Sequence, residues 1–167
     1  MKIMRNGLLL SCLAATLMTT SCGFQKKLQL QDTYSKITVV NDSLDKLTSQ
    51  WHTLRDQASI SKNYTALAPA RIALGSFISR GRASVANIVV TPENEAVMNE
   101  EDQLLLNQST LVAEVYPNFE QFNEYTPKET MDKNVSLITN DLMNVKEKVA
   151  SIKKMLEKFA AKNNIKK

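Results

Sequence analysis

The chain has 167 residues, a formal charge of +4, and 43% hydrophobic but only 6% aromatic residues. One domain accommodates that length, and so small a basic excess does not point to nucleic acid. Four Gly and four Pro are too few for the dense turns of an all-β fold, so long helices are the expectation.

The chain opens with Lys2 and Arg5 and no acid, then runs uncharged and mostly apolar from Gly7 to Met18, then reaches Thr19, Thr20, Ser21 and Cys22. A basic start, a short apolar run and a small-residue cleavage site together make a secretory signal. The run is shorter than the ~20 apolar residues of a membrane-spanning helix. The stretch Thr19-Thr20-Ser21-Cys22 resembles the lipobox of bacterial lipoproteins, with Thr19 standing where Leu is usual. Leu9-Leu10-Ser11-Cys12 fits that box letter by letter but would leave an apolar run of only a few residues. The resemblance implies that residues 1–21 are removed, that Cys22 is acylated, and that the lipid bilayer is the first partner. No thiol then remains for a disulfide, redox chemistry or a Cys-ligated metal. Gly23, rather than Asp, after the Cys implies the outer membrane, and the basic Lys26-Lys27 implies its periplasmic face. Removal of Lys2 and Arg5 lowers the formal charge from +4 to +2.

Residues 22–27 read as a lipidated end and short tether, 28–162 as a helical bundle and 163–167 as a basic tail. The first predicted helix runs from Leu28 to Lys62, with Ile37, Val40, Leu44, Leu47, Trp51, Leu54 and Ala58 alternating by three and four. The second spans Ala66 to Val90, with Leu67, Arg71, Leu74, Ile78, Gly81, Val85 and Ile88 on one face. Its Ala, Gly and Ser content admits a close neighbour, and Gly75 and Gly81 each weaken it by ~1 kcal/mol. Thr91-Pro92-Glu93 reads as the cap of a third helix, with acids suited to the helix dipole. That helix carries Val97, Met98, Leu104, Leu105, Leu111, Val112 and Val115, interrupted by Glu101 and Gln108, and is stopped by Pro117. Thr126-Pro127-Lys128-Glu129 opens a fourth, running to Lys162 along Met131, Val135, Ile138, Leu142, Val145, Val149, Ile152, Leu156 and Phe159. The fold expected is an all-α, antiparallel, up-down-up-down four-helix bundle whose first and fourth helices are the long ones, each ~50 Å. A dimerising hairpin of those two is the alternative.

Charge is segregated. Lys62, Arg71, Arg80 and Arg82 lie in a stretch without acids, and Glu93, Glu95, Glu100, Glu101, Asp102, Glu114, Glu120 and Glu124 in one without bases. Compensation between the second and third helices is the expected use. Chemistry is sparse. His52 is the sole histidine and reads as a surface or seam-edge residue. Ser49 stands where a Glu-x-x-His di-iron motif would need Glu. Glu100-Glu101-Asp102 reads as a solvated face, because successive carboxylates on a helix diverge. Asp42-Ser43-Leu44 resembles the short glycosylation site of some periplasmic proteins. No catalytic residue, metal or cofactor is expected.

The antiparallel topology puts Lys26 and Lys27 at one end with Lys158, Lys162, Lys166 and Lys167, beside the membrane. The other end gathers Tyr64, Tyr116, Phe119, Phe122 and Tyr125. Exposed aromatics mark binding surfaces, so this distal tip is the candidate contact for an unidentified envelope protein. The functional expectation is a non-enzymatic, membrane-tethered interaction or structural module. The alternative is a small-ligand bundle with a pocket between helices, beside Trp51 and the second helix.

Overall fold

The computed structural model describes residues 5–165, with side chains over 23–165. Every regular element among them is helical: α1 (Arg5–Ser61), α2 (Leu67–Ala86), α3 (Glu95–Thr110), a π-helical segment (Leu111–Val115), α4 (Pro117–Glu120), α5 (Lys128–Ile138) and α6 (Asp141–Lys162). None is long and apolar enough, among the described residues, to cross a membrane.

The first helix is longer than predicted. It is unbroken from Arg5 to Ser61, so the stretch expected to be a tether is helical. Its buried stripe is also wider. Ile37, Val40, Leu44, Trp51 and Ala58 are buried as their spacing predicts, and Leu30, Thr33, Asn41, Thr48 and His52 are buried with them. Leu47 and Leu54 only pack against the margin. A helix that touches two neighbours needs more than a two-position seam, and α1 packs against both α2 and α6.

The close approach along α2 holds. An added methyl on Gly81 would sit 3.4 Å from Val40 of α1, and one on Gly75 would sit 3.3 Å from Val112 of the π segment. The helix ends at Ala86, four residues before its predicted limit, so Ile88, Val89 and Val90 form the turn into α3. Asn94, not Thr91, occupies the N-cap position of α3. Its side chain accepts from the Thr91 N–H at 2.7 Å and donates to the Val89 carbonyl at 2.9 Å, stapling the turn.

The third helical run ends just before Pro117, as expected, but its last turn is π rather than α. The ladder widens first, with the Tyr116 N–H donating to the Leu111 carbonyl at 3.0 Å, and Pro117 then sits at the start of α4. Proline lacks a donor and crowds the carbonyl one turn back, so it fits the first position of a helix, where no intrahelical donor is needed.

The predicted fourth helix is two helices. Thr139 and Asn140 interrupt it between α5 and α6. Both are weak helix formers; the seam keeps its phase across the break, with Ile138 and Val145 both buried, while Asp141 is buried at its edge, Leu142 is half-exposed and Val135 is 38% exposed. Thr126 does not cap α5; its hydroxyl accepts from the Asn123 N–H at 2.9 Å and closes the preceding loop. From Val145 to Phe159 the predicted seam is buried as spaced. The end of α6 closes with Asn164 at φ 52°, the Asn164 N–H on the Ala161 carbonyl and the Ile165 N–H on the Ala160 carbonyl. A left-handed residue with that pair of bonds is a Schellman cap, and Ile165 supplies the accompanying apolar contact. The interior is one cluster reaching from Leu30 to Ile165.

Candidate functional site

The densest chemistry lies inside the bundle, where α1, α3, the π-segment terminus and α6 meet. Trp51 of α1 stacks on Tyr116, with centroids 3.6 Å apart and planes 13° from parallel, and meets the edge of Phe119 at 5.6 Å. His52, next along α1, is buried rather than at the surface. Its Nε2 lies 3.1 Å from Asp141 Oδ2. The Tyr116 hydroxyl donates a short hydrogen bond to the same oxygen, and Gln108 Nε2 donates to Asp141 Oδ1 at 2.7 Å. A carboxylate only accepts, so His52 presents its Nε2–H here.

The electrostatics follow from that bonding. Burial pushes the pKa of the Asp141 carboxyl up, but hydrogen bonds from His52, Tyr116 and Gln108 more than offset it, and the pKa settles below the ordinary aspartate value. The Tyr116 phenol is driven the other way, by burial first and by the adjoining Asp141 charge second. It therefore stays a donor at every physiological pH. The cluster ties α1, α3, α6 and the π segment together through a single carboxylate.

Asp141 and Gln108 also form the floor of an open groove of about 750 Å³ between α3 and α6, edged by Leu104, Asn107, Asn144 and Lys148. Gln108 is 3% exposed, and its Oε1 finds no hydrogen-bond partner among the described residues.

Three turns back along α1 a second polar group is buried. Asn41 Nδ2 donates to Glu101 Oε2 at 2.8 Å and to the Ile37 carbonyl at 3.1 Å. Glu101 is wholly buried, not part of a solvated face, while Asp102 beside it is exposed. No cation reaches Glu101 through the ion pairs of the described residues, and burial pushes its carboxyl up to about 7 against a small opposing pull from Asn41. Asn41 Oδ1 and Glu101 Oε1 are both unpartnered.

The residues singled out at the distal tip come together, but mostly as core. Tyr116 and Phe119 are fully buried and Tyr64 is 4% exposed. Phe119, Phe122 and Tyr64 continue the ring contacts that begin at Trp51, at 5.3 and 5.7 Å. Phe122 is half-buried and Tyr125 is 85% exposed. Burial removes Tyr64, Tyr116 and Phe119 from direct contact with a partner in this conformation. Beside Phe122 lies an open depression of about 790 Å³, lined by Asn118, Thr126, Glu129, Lys133 and Leu137. A third depression, of about 580 Å³, lies between α1 and α2 against Ala70 and Ala73.

At the opposite end Lys26 pairs with Glu93 at 2.6 Å, which holds that carboxyl down to about 2. Lys27 and Lys162 are exposed. Lys166, Lys167 and the Cys22 side chain lie outside the described residues. Ser43 sits half-buried within unbroken α1, beside Asp42, which pairs with Lys153 at 2.8 Å. Charge compensation is spread more widely than a contact between the second and third helices. Arg82 approaches Asp102 at 3.8 Å and Arg71 pairs with Glu120, but Glu93 and Glu100 are matched by Lys26 and Lys148. Among the described residues no cluster of three His, Cys, Asp or Glu side chains is arranged to hold a metal.

The two buried polar groups left a signal that the apolar stripes outweighed. Asn41 and Thr48 are one heptad apart on α1, as are Glu101 and Gln108 on α3. Polar residues repeating at the period of a seam belong to its interior. Asp141 left no such mark, because apolar Leu142 beside it took the seam position in the spacing. Comparisons with protein-family models, curated proteins and solved structures find no match to this chain.

Proposed function

We propose that this chain is a bacterial envelope lipoprotein, acylated on Cys22 after removal of residues 1–21, whose bundle acts without catalysis by holding another envelope component at its distal tip. The observation that carries the reading is the order of the N-terminus: Lys2 and Arg5, a short apolar run, then Thr19-Thr20-Ser21-Cys22, with the first buried residue of the body, Leu30, only two turns further on. Outer-membrane residence on the periplasmic face follows from Gly23 and Lys26-Lys27.

The arrangement proposed for the body is antiparallel, up-down-up-down, with α5 and α6 together as the fourth member. Asp42 with Lys153 and His52 with Asp141 support opposite directions for α1 and α6. Lys26 with Glu93 and Asn41 with Glu101 support a common direction for α1 and α3. The lipid and the segment Pro117–Tyr125 then lie at opposite ends. The contact surface narrows to Tyr125, the exposed part of Phe122 and Leu137 along the tip depression, where side chains are both apolar and accessible.

Metabolic labelling with a fatty-acid probe tests the anchor: Cys22→Ser should lose the label and Cys12→Ser should keep it, and the reverse pattern overturns the assignment. Crosslinking in intact envelopes tests the tip. Tyr125→Ser with Leu137→Ser should abolish partner capture at an unchanged melting temperature; capture that survives removes the tip as the site. A second reading, small-ligand binding between helices, draws on the unpartnered Gln108 Oε1 at the floor of the α3–α6 groove. A metabolite that raises the melting temperature of the wild type and not of Gln108→Leu would favour it.

A further inference from the structure

The turn between α2 and α3 carries two adjacent valines in the open. Val89 is 59% and Val90 60% exposed, where turns ordinarily place Gly, Asn, Asp or Ser. The turn is held against the start of the ordered bundle. Asn94 grips the Val89 carbonyl at 2.9 Å and lies 3.3 Å from Thr33 Oγ1, and Glu93 reaches Lys26 at 2.6 Å. Phe24, 65% exposed, and Leu28, 53% exposed, share one face of α1 at this same end. Cys22 lies four residues before Lys26, about 6 Å along the helix axis. The end of α6 reaches the level of the turn: Lys153 pairs with Asp42, and nine residues further on Lys162 is about 14 Å closer to this end, level with Thr33, which Asn94 of the turn contacts. Lys27, Lys158 and Lys162 are exposed. Of the acids nearby, Glu93 and Asp32 are engaged by Lys26 and Lys36, and Glu95 and Glu157 are exposed.

We propose that this end of the bundle is itself a lipid-surface contact, in which Phe24, Leu28, Val89 and Val90 enter the interface of an anionic bilayer while Lys27 and Lys162 meet its headgroups. The proposal rests on the reading of Cys22 as the acylated residue, because acylation there puts the end face against the bilayer. Apolar area and basic charge on one face are the two quantities that set interfacial binding. Their joint effect is orientation: the bundle stands on its α2–α3 turn with the Tyr125 end pointing away, rather than swinging from the lipid.

The test uses the full chain, unacylated, with Cys12→Ser and Cys22→Ser and one introduced thiol carrying an environment-sensitive fluorophore, either Val90→Cys or Tyr125→Cys. With phosphatidylglycerol vesicles the probe at position 90 should brighten and shift to the blue, and the probe at 125 should not. Adding Lys27→Ala and Lys162→Ala should raise the lipid concentration needed for half the shift by roughly twenty-fivefold, about fivefold for each lysine at an anionic surface. Phosphatidylcholine vesicles should give a much weaker response. If the chain sediments with the vesicles while the probe at 90 stays unshifted, the apolar run alone holds it and the proposal fails. It fails equally if both probes shift alike. Because no acyl group is present, a label kept by Cys22→Ser and lost by Cys12→Ser in cells would overturn the anchor and leave this measurement standing.

Discussion

Two polar groups are buried against the same helix, and the bundle treats them differently. Asp141 collects hydrogen bonds from His52, Tyr116 and Gln108 and stays ionised. Glu101, about 16 Å away by the rise of α1 between Asn41 and His52, has the Asn41 amide alone, and burial pushes it up to about 7. Desolvation acts on both carboxyls. What separates them is the number of donors aimed at the charged form. A carboxylate bonded by three neighbours links the elements that supply them; one bonded by a single amide is held as a neutral acid at moderate pH and becomes a burden when it ionises.

The largest effect should come from taking the centre out of the better-bonded cluster. Asp141→Ala leaves His52, Tyr116 and the Gln108 amide without their acceptor, and breaking such a buried group typically costs about 3–5 kcal/mol. Denaturant unfolding should register that loss; a change below about 1 kcal/mol would mean the cluster is not a joint.

Next is the pH response, which has opposite signs at the two sites. The folded chain binds the Glu101 proton more tightly than the unfolded chain does, so stability falls as pH rises from about 4.5 to about 7 and is flat beyond. A shift of that size corresponds to about 3 kcal/mol. The lowered Asp141 pKa works in reverse: its contribution is present above the unfolded value of 3.8 and is lost as pH falls through the folded value. Stability should therefore peak between those ranges, mildly acidic. Glu101→Gln should remove the neutral-side decline and leave the acid-side loss. A wild-type curve already flat between about pH 5 and about pH 8 would break the comparison.

A smaller effect should follow from Gln108→Leu. The substitution removes one donor to Asp141 and also removes an unpartnered acceptor, so the net change should be about 1 kcal/mol. The smallest should come from Lys148→Ala, which breaks an exposed pair with Glu100. Pairs of that kind contribute ~0–1 kcal/mol, and high salt should erase the difference.

The helices were legible in the spacing of apolar residues, because a core that excludes water selects one face at the helical period. Ile37, Val40, Leu44 and Trp51 on α1 and Val145 to Phe159 on α6 are buried as that spacing requires. Close packing along α2 was legible in its small residues: a Cβ added at Gly75 would crowd Val112 at 3.3 Å, and one at Gly81 would already touch Val40 at 3.4 Å. Three features were not. Pro117 read as a stop, and the helical run does end before it, but the π turn that closes that run left no local mark. The single long fourth helix was a sum of local propensities; the break at Thr139–Asn140 exists together with the inward turn of Asp141 to partners far away in sequence. The roles of His52 and Glu101 could not be read from their own neighbourhoods, because the donors that decide between a charge retained and a charge suppressed come from other helices. By itself, then, the sequence determined that the chain is helical and where its main apolar seams lie, since both depend on residues within a turn or two. Only the tertiary structure decided which buried polar groups find partners, because that depends on which helices pack side by side.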